Sequence, residues 1–257
     1  ASASSSNTDP TNAKEADAQK AARAAVLEAE YKALVAELPA DQKAWENVLQ
    51  ENLGGFYLPI HKRQKVAGQS NAWDFVQDDP NLPRVLIIGD SVSRGYTQAV
   101  RKYLAGKANV HRPLTNCGPT SKGVAEIDKW LGDGKWDVIH FNWGLWDLCY
   151  RHPESKVQGR RDKVRGTLTT SLEQYEKNLD QLVTRLRKTG AVLIWANTTV
   201  VPEGEAGRKL NDDLSYNAAA ARVMQNHDVQ INNLNRLTRS FAPEVFTKPG
   251  DVHFKSD

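Results

Sequence analysis

Three short, mostly apolar runs stand out from Arg84 onward: RVLIIGD from Arg84, WDVIHFNW from Trp136 and AVLIWANT from Ala191. Each is four to eight residues long and β-branched, the pattern of a strand buried on both faces. NVHRPL (109–114) and VQINN (229–233) read as weaker strands. Between them lie helical patterns. Leu172, Tyr175, Leu179, Leu182, Val183 and Leu186 recur at helical spacing, and Gly190 ends that helix. Residues 95–104, 121–131, 210–227 and 233–241 read as further helices. Strand and helix alternate, which predicts an α/β fold: three layers, α/β/α, around a mostly parallel sheet. Ligands of such sheets sit at the carboxyl ends of the strands. The residues that end the runs are therefore the ones to search: Asp90 and Ser91, Asn116 to Gly118, Asn142 to Asp147, and Asn197.

The N-terminal third has a different character. Residues 1–12, ASASSSNTDPTN, are small and polar and read as a flexible tail. They contain no initiator Met, basic segment or apolar stretch of a leader. Ala13 to Leu38 is rich in Ala, Glu, Lys and Leu without Gly or Pro, which predicts a helix that Pro39 ends. Asp41 is placed to cap a second helix to about Asn52, stopped by Gly54-Gly55. Residues 56–83 mix Pro, Gly and Asn with scattered aromatics and read as an irregular linking segment. The expected organisation is a tail (1–12), a helical N-terminal extension with its linking segment (13–83), and an α/β domain (84–257). The extension packs on that domain, or it offers a helix to a partner or a second copy.

Composition removes several classes of function. Of 257 residues, 40% are apolar and seven are Trp, and the net charge is +3, so the chain can bury a core and is not a disordered polyelectrolyte. No run of about 18 apolar residues predicts a membrane span. The balanced charge gives no argument for nucleic acid as a partner. Two Cys cannot form a four-cysteine zinc site, and no HExxH-like spacing suggests another metal, so neither metal nor cofactor is expected.

The candidate chemistry starts at Ser91, directly after Asp90 and the first buried run. A serine there sits at the ligand edge of the sheet, where a helix N-terminus favours anions. An N-cap role is the competing reading. A serine nucleophile needs a base. His140, His111 and His227 lie within predicted elements and read as structural, and His61 and His152 lie in loops. His253, in KPGDVHF, follows the last elements, and Asp251 two residues before it can orient its ring.

GDSVS (89–93), NCG (116–118), GLWD (144–147) and DVH (251–253) occur in this order, each at a predicted strand end or loop. In this the chain resembles the SGNH (GDSL-type) hydrolases from Arg84 onward. The resemblance implies a flavodoxin-like α/β/α fold, Ser91 as nucleophile and His253 as base. It also implies an oxyanion hole made of the Ser91 N–H, the Gly118 N–H and an Asn side chain from the third motif. Two departures stand out. The third motif is usually GxND, but Trp146 occupies the Asn position; Asn142, at the end of the same strand, is the favoured replacement, and the Trp146 indole N–H is the other. Asn142 could instead serve only to tie loops. The usual DxxH is shortened here to DxH, so either Asp251 still reaches His253 or the ring relies on a backbone carbonyl. The family usually continues into a closing helix, whereas Asp257 comes four residues after His253; either that helix lies beyond Asp257, or the N-terminal helices cover the exposed face.

Beyond the nucleophile stand Ser93, Arg94 and Tyr96; around the third motif stand Trp143, Trp146, Tyr150, Arg151 and His152. Aromatic faces stack on sugars, and Arg pairs with hydroxyls or carboxylates. Arg94, Trp143, Trp146 and Arg151 are therefore expected to bind substrate, although core packing is an ordinary fate for Trp. The loop RHPESKVQGRRDKVRG (151–166) is basic and polar, which argues against a long acyl chain. Because similar hydrolases deacetylate carbohydrates, the expected activity is a carbohydrate O-acetylesterase acting on an acetylated saccharide. A lipase- or thioesterase-type acyl hydrolase and a non-catalytic saccharide-binding module are the alternatives. Cys117 and Cys149 follow strand ends expected to be neighbours, which suggests a disulfide bracing the oxyanion loop, and with it an exported (secreted or periplasmic) protein. Two buried thiols are the alternative. Nothing in the sequence fixes the oligomeric state.

Overall fold

The computed structural model describes residues 10–255. The chain divides into two compact units, Ala1–Phe75 and Val76–Asp257.

The first unit holds three helices: α1 (Pro10–Ala36), α2 (Ala40–Asn52) and α3 (Gly54–Val66). Residues 1–9 of the expected tail lie outside the described residues, and helix already begins at Pro10. Helix α2 starts after Pro39, as the sequence suggests, but Asp41 lies in its first turn and does not cap it. Helix α3 corrects the expectation of irregular chain after residue 56. Gly54 does break α2, turning at φ +69, yet the chain re-enters a helix at once and keeps it through Pro59. Tertiary contacts offset the proline. The His61 ring, fully buried, meets Glu46 Oε2 at 2.7 Å and Asn71 Oδ1 at 3.2 Å. Tyr31 donates to the same Glu46 oxygen, and Lys62 pairs with Glu28. Burial alone would raise the Glu46 carboxyl; the bonds from His61 and Tyr31 outweigh it and hold it down at about 2.

The second unit contains a five-stranded sheet in the order β2-β1-β3-β6-β7, every neighbouring pair parallel. The strands are β1 (Arg84–Ile88), β2 (Asn109–His111), β3 (Val138–Phe141), β6 (Val192–Ala196) and β7 (Gln230–Asn232). β4 (Tyr150–Arg151) and β5 (Thr167–Leu168) form a separate antiparallel pair that no sequence pattern announced. The helices are α4 (Ser91–Tyr103), α5 (Thr120–Leu131), α6 (Leu172–Arg187), α7 (Asp212–Asn226) and α8 (Leu234–Arg239).

β1 shows why its sequence is continuously apolar. Leu86 and Ile88 enter the large core with Ile139, Phe141 and Trp195 and with Leu179 and Leu182 of α6. Val85 and Ile87 enter a smaller core on the other face with Val110, Tyr96 and Val100. Both faces are covered by helices, so every second residue has a buried partner on its own side. The register pairs Ile88 with Phe141 and Phe141 with Trp195, which aligns the carboxyl ends of β1, β3 and β6. The ends of these strands carry the residues singled out from sequence.

Candidate active site

Ser91 is the first residue of α4. The N-cap is Asp90, whose side chain accepts the Val92 N–H at 2.9 Å, so Ser91 is not spent on capping. Among the described residues its own N–H finds no acceptor. The Ser91 hydroxyl lies 2.7 Å from His253 Nε2, and His253 Nδ1 lies 2.6 Å from Asp251 Oδ1. The shortened DxH spacing therefore still delivers a carboxylate to the ring. The same Oδ1 also accepts the His253 backbone N–H at 3.1 Å. Burial would raise the Asp251 carboxyl, but the bonds from the His253 side chain and N–H prevail and hold it below its ordinary value. An ionised Asp251 can only accept, so Nδ1 carries a proton and Nε2 of the neutral ring faces the serine with its lone pair.

The loop carrying His253 is tightly built. Thr247 N–H donates to His253 O at 2.9 Å, Lys255 N–H to Val245 O at 2.8 Å, and Phe254 packs on Phe241 and Phe246. Gly250 turns at φ +71, and a Cβ there would stand 2.7 Å from Gly204 O. Any other residue would push the loop off the 202–208 segment.

The expected oxyanion donors are only partly open. The Gly118 N–H donates to Asn116 Oδ1 at 2.9 Å within its own loop. Lys122 fastens that loop by donating to Thr115 Oγ1 and Asn116 O at 3.0 and 2.9 Å. The Asn142 N–H continues the sheet to Ile88 O, and one hydrogen of its side-chain amide goes to Ala196 O at 2.7 Å. Asn142 therefore does tie β3 to β6, with one amide hydrogen left over. Asp147, to which the sequence reading gave no role, is fully buried and accepts the Thr120 N–H at 3.0 Å and the Thr120 hydroxyl at 2.5 Å. It fixes the start of α5 beside the third motif, and burial pushes its carboxyl up to about 6. The fourth position of GLWD was the available signal.

Two expectations fail. Trp143 is not a sugar platform: it is 1% exposed, stacks on Trp130, and lies under α5 where Gly123 lets the helix approach the ring. Cys117 and Cys149 form no disulfide; both are free and buried. Cys117 sits behind β1, with its N–H on Gly89 O and the Arg112 charge close by, whereas the Cys149 sulfur lies against Gly207. β1 lies between β2 and β3 in the sheet, so the strand ends that precede the two cysteines are not neighbours as expected, and the argument for an oxidising compartment goes with the bridge. Of the other substrate-binding candidates, Trp146 and Arg151 are half-buried and stacked, with the guanidinium 4.5 Å from the ring centroid. Arg94 is half-buried in the first turn of α4. The remaining histidines are structural or peripheral: His111 pairs with Asp78, His227 with Asp180, and burial holds His140 down at about 4.

Among the described residues no cluster of three His, Cys, Asp or Glu is arranged to hold a metal, and no helix is long and apolar enough to cross a membrane.

No family model matches the sequence, and no curated protein matches it. Solved structures do match in shape. An acetyl xylan esterase, AlAXEase, superimposes with a TM-score of 0.52 at 13% identity, covering 67% of this chain and 91% of its own. A lipase/acylhydrolase from Enterococcus faecalis gives 0.54 at 14%, covering 67% and 87%. Axe2, an acetylxylan esterase from Geobacillus stearothermophilus, gives 0.52 at 14%, again over 67% and 87%. The second unit therefore has the SGNH-hydrolase fold. At such identities the likeness establishes the fold, and the chemistry must be argued from the site.

Proposed function

We propose that the protein is a serine esterase that removes O-acetyl groups from a carbohydrate. The observation behind this reading is the unbroken relay Asp251–His253–Ser91, with contacts of 2.6 and 2.7 Å, at the carboxyl edge of the sheet. His253 takes the proton as Ser91 Oγ attacks the acetyl carbonyl, and Asp251 stabilises the resulting imidazolium. The Ser91 N–H and the second amide hydrogen of Asn142 receive the oxyanion. The Gly118 N–H joins them once the Asn116 side chain turns away. His253 then protonates the departing sugar oxygen, leaving acetyl-Ser91, and next draws a proton from water as that water releases acetate. Half-buried Trp146 with Arg151 stacked upon it offers a polar, aromatic wall suited to a sugar ring. A polysaccharide substrate fits action outside the cell. The acetyl xylan esterases of like fold support the substrate class by analogy only.

The test is hydrolysis of p-nitrophenyl acetate and acetate release from acetylated polysaccharides, before and after Ser91→Ala. The variant should lose roughly 10⁴-fold or more in kcat. Undiminished turnover would remove Ser91 as nucleophile. A preference for p-nitrophenyl octanoate would turn the reading to a long-chain acyl hydrolase, and glycan binding without any turnover would leave a binding module.

A further inference from the structure

The segment after β3 and the loop at 202–208 meet in a cluster of guanidinium groups. Residues 150–168 are zipped to that loop by Tyr150 N–H on Gly207 O at 2.6 Å and Lys163 N–H on Ala206 O at 2.9 Å. Glu205, 1% exposed, stands at the seam. Its Oε1 accepts from Arg161 at 2.6 Å and from Arg208 at 2.9 Å, and its Oε2 accepts the Gly207 N–H. One carboxylate thus serves two guanidinium groups. A third cation, Arg151, lies over the Trp146 ring and donates to Gly159 O. Among the described residues no carboxylate lies within 4.0 Å of Arg151. Burial lowers the Arg151 guanidinium from its ordinary value, and the charges of Arg208 and Arg161 lower it further against the pull of Cys149 and Glu205. Glu205 Oε1 is shared by Arg161 and Arg208, so the Arg151 charge is left without a carboxylate in partly dry surroundings, a costly arrangement unless an anion completes it.

The cluster touches the third motif and the loop that leads into Asp251. Arg208 Nε donates at 2.6 Å to Leu145 O, next to Trp146 in the third motif. Gly204, next to Glu205, lies against Gly250, the residue before Asp251. Stitching the loops together would need only Arg161, Arg208 and Glu205. Arg151 is surplus to that task, and it is the cation on the half-buried sugar wall.

We infer that Arg151 receives an anionic group of the substrate, so that the acetyl ester is taken from a saccharide carrying carboxylate or sulfate groups. A planar guanidinium fork matches either anion. The inference rests on the esterase reading above and narrows its substrate.

The experiment compares kcat/KM on three acetylated oligosaccharides, a polyuronate, a sulfated glycan and a neutral xylo-oligosaccharide, with p-nitrophenyl acetate as the uncharged reference. One of the anionic substrates should exceed the neutral one by about tenfold or more, the scale of a hydrogen bond to a charged group. Which of the two is preferred names the anion. Added salt should erode that advantage in the wild-type enzyme while leaving p-nitrophenyl acetate hydrolysis level. Arg151→Gln should collapse the ratio between anionic and neutral substrates, and Arg151→Lys should restore part of it. The wild-type salt response stands even where a variant folds poorly. Equal or better turnover of the neutral oligosaccharide, with Ser91-dependent p-nitrophenyl acetate hydrolysis intact, overturns this inference alone. Absence of Ser91-dependent hydrolysis on every substrate strikes the esterase reading itself.

Discussion

Replacing Asp251 tests whether the shortened motif works as a relay, and its geometry sets the size of the effect. A single oxygen, Oδ1, accepts both the His253 backbone N–H at 3.1 Å and Nδ1 at 2.6 Å. In Asp251→Asn the backbone N–H still demands an oxygen at that position, so the amide is pinned with its carbonyl toward the ring. The productive tautomer survives, and the loss is the charge that steadies the imidazolium. A hydrogen bond to a charged partner contributes about 1.5–3 kcal/mol, so kcat should fall by roughly 10- to 150-fold. Where an Asn instead flips the imidazole tautomer, the cost reaches about 10⁴-fold. Asp251→Ala leaves nothing on Nδ1 and should approach that larger figure. The assay is saturation kinetics on p-nitrophenyl acetate at pH 7.5, with thermal melts to confirm folding. KM should stay nearly constant, because Asp251 lies behind the ring. Its carboxyl sits below the ordinary value, so Asp251 is ionised at the assay pH. Asp251→Ala within threefold of wild type would refute the relay and hand the orienting role to a backbone carbonyl.

Asn142→Ala should reduce kcat by about 10²-fold if its spare amide hydrogen meets the oxyanion, and lower stability by about 1 kcal/mol through the lost bond to Ala196 O; a lower melting point with kcat intact would leave Asn142 a loop tie. Burial pushes the folded Asp147 carboxyl up to about 6 from its ordinary 3.8, so its penalty is absent below pH 4 and complete above pH 6, roughly 3 kcal/mol at about 1.4 kcal/mol per unit. Asp147→Asn should therefore flatten the fall in urea-unfolding stability between pH 4 and 7, and parallel wild-type and variant curves would contradict the assignment. Cys117 and Cys149 should both titrate with a thiol reagent in unreduced, denatured protein, and the native protein should resist alkylation at pH 8 because burial pushes Cys117 up to about 12; recovery of a disulfide-linked peptide would reverse the finding.

Elements whose stability is local or periodic were legible. β1 and β6 announce themselves as unbroken apolar runs and β3 as one that only His140 interrupts, as strands covered largely on both faces should, and α6 because one stripe of Leu, Val and Tyr meets the sheet. The relay was legible for a related reason: Asp251 and His253 are close in sequence, and Ser91 sits where a buried strand hands over to a helix. Helix α3 was not, because Pro59 and Gly54-Gly55 are local signals against a helix. What sustains it is burial of His61 against Glu46, fifteen residues away. Trp143 failed for the converse reason. Its neighbours in sequence are the motif residues, but its contacts are Trp130 and Gly123, which only the fold brings beneath it.

The lobe formed by residues 150–168 shows where sequence reasoning meets its physical limit. β4 and β5 are two residues each, too short for alternation to register, and the pair stands because the 202–208 loop accepts its edge. Read locally, RHPESKVQGRRDKVRG is a solvated basic stretch, and VPEGEAGRK is an acidic-to-basic turn. The meaning of each depends on the other, since Arg161 and Glu205 are 44 residues apart. Once they pair, Glu205 is consumed inside the seam, and the charge left over is positive and beside Trp146. The departure from the family pattern at Trp146 then acquires a physical sense. Trp146 stands where an amide donor is usual and supplies the ring on which Arg151 rests, while Asn142, four residues earlier at the end of the same strand, has a hydrogen to spare. Exchange of Trp146 for Asn should restore a donor at the family position and remove the platform under Arg151. Turnover of p-nitrophenyl acetate should then be retained while discrimination between charged and neutral saccharides falls. A variant that loses both together would mean that Trp146 contributes to the chemistry as well as to the wall.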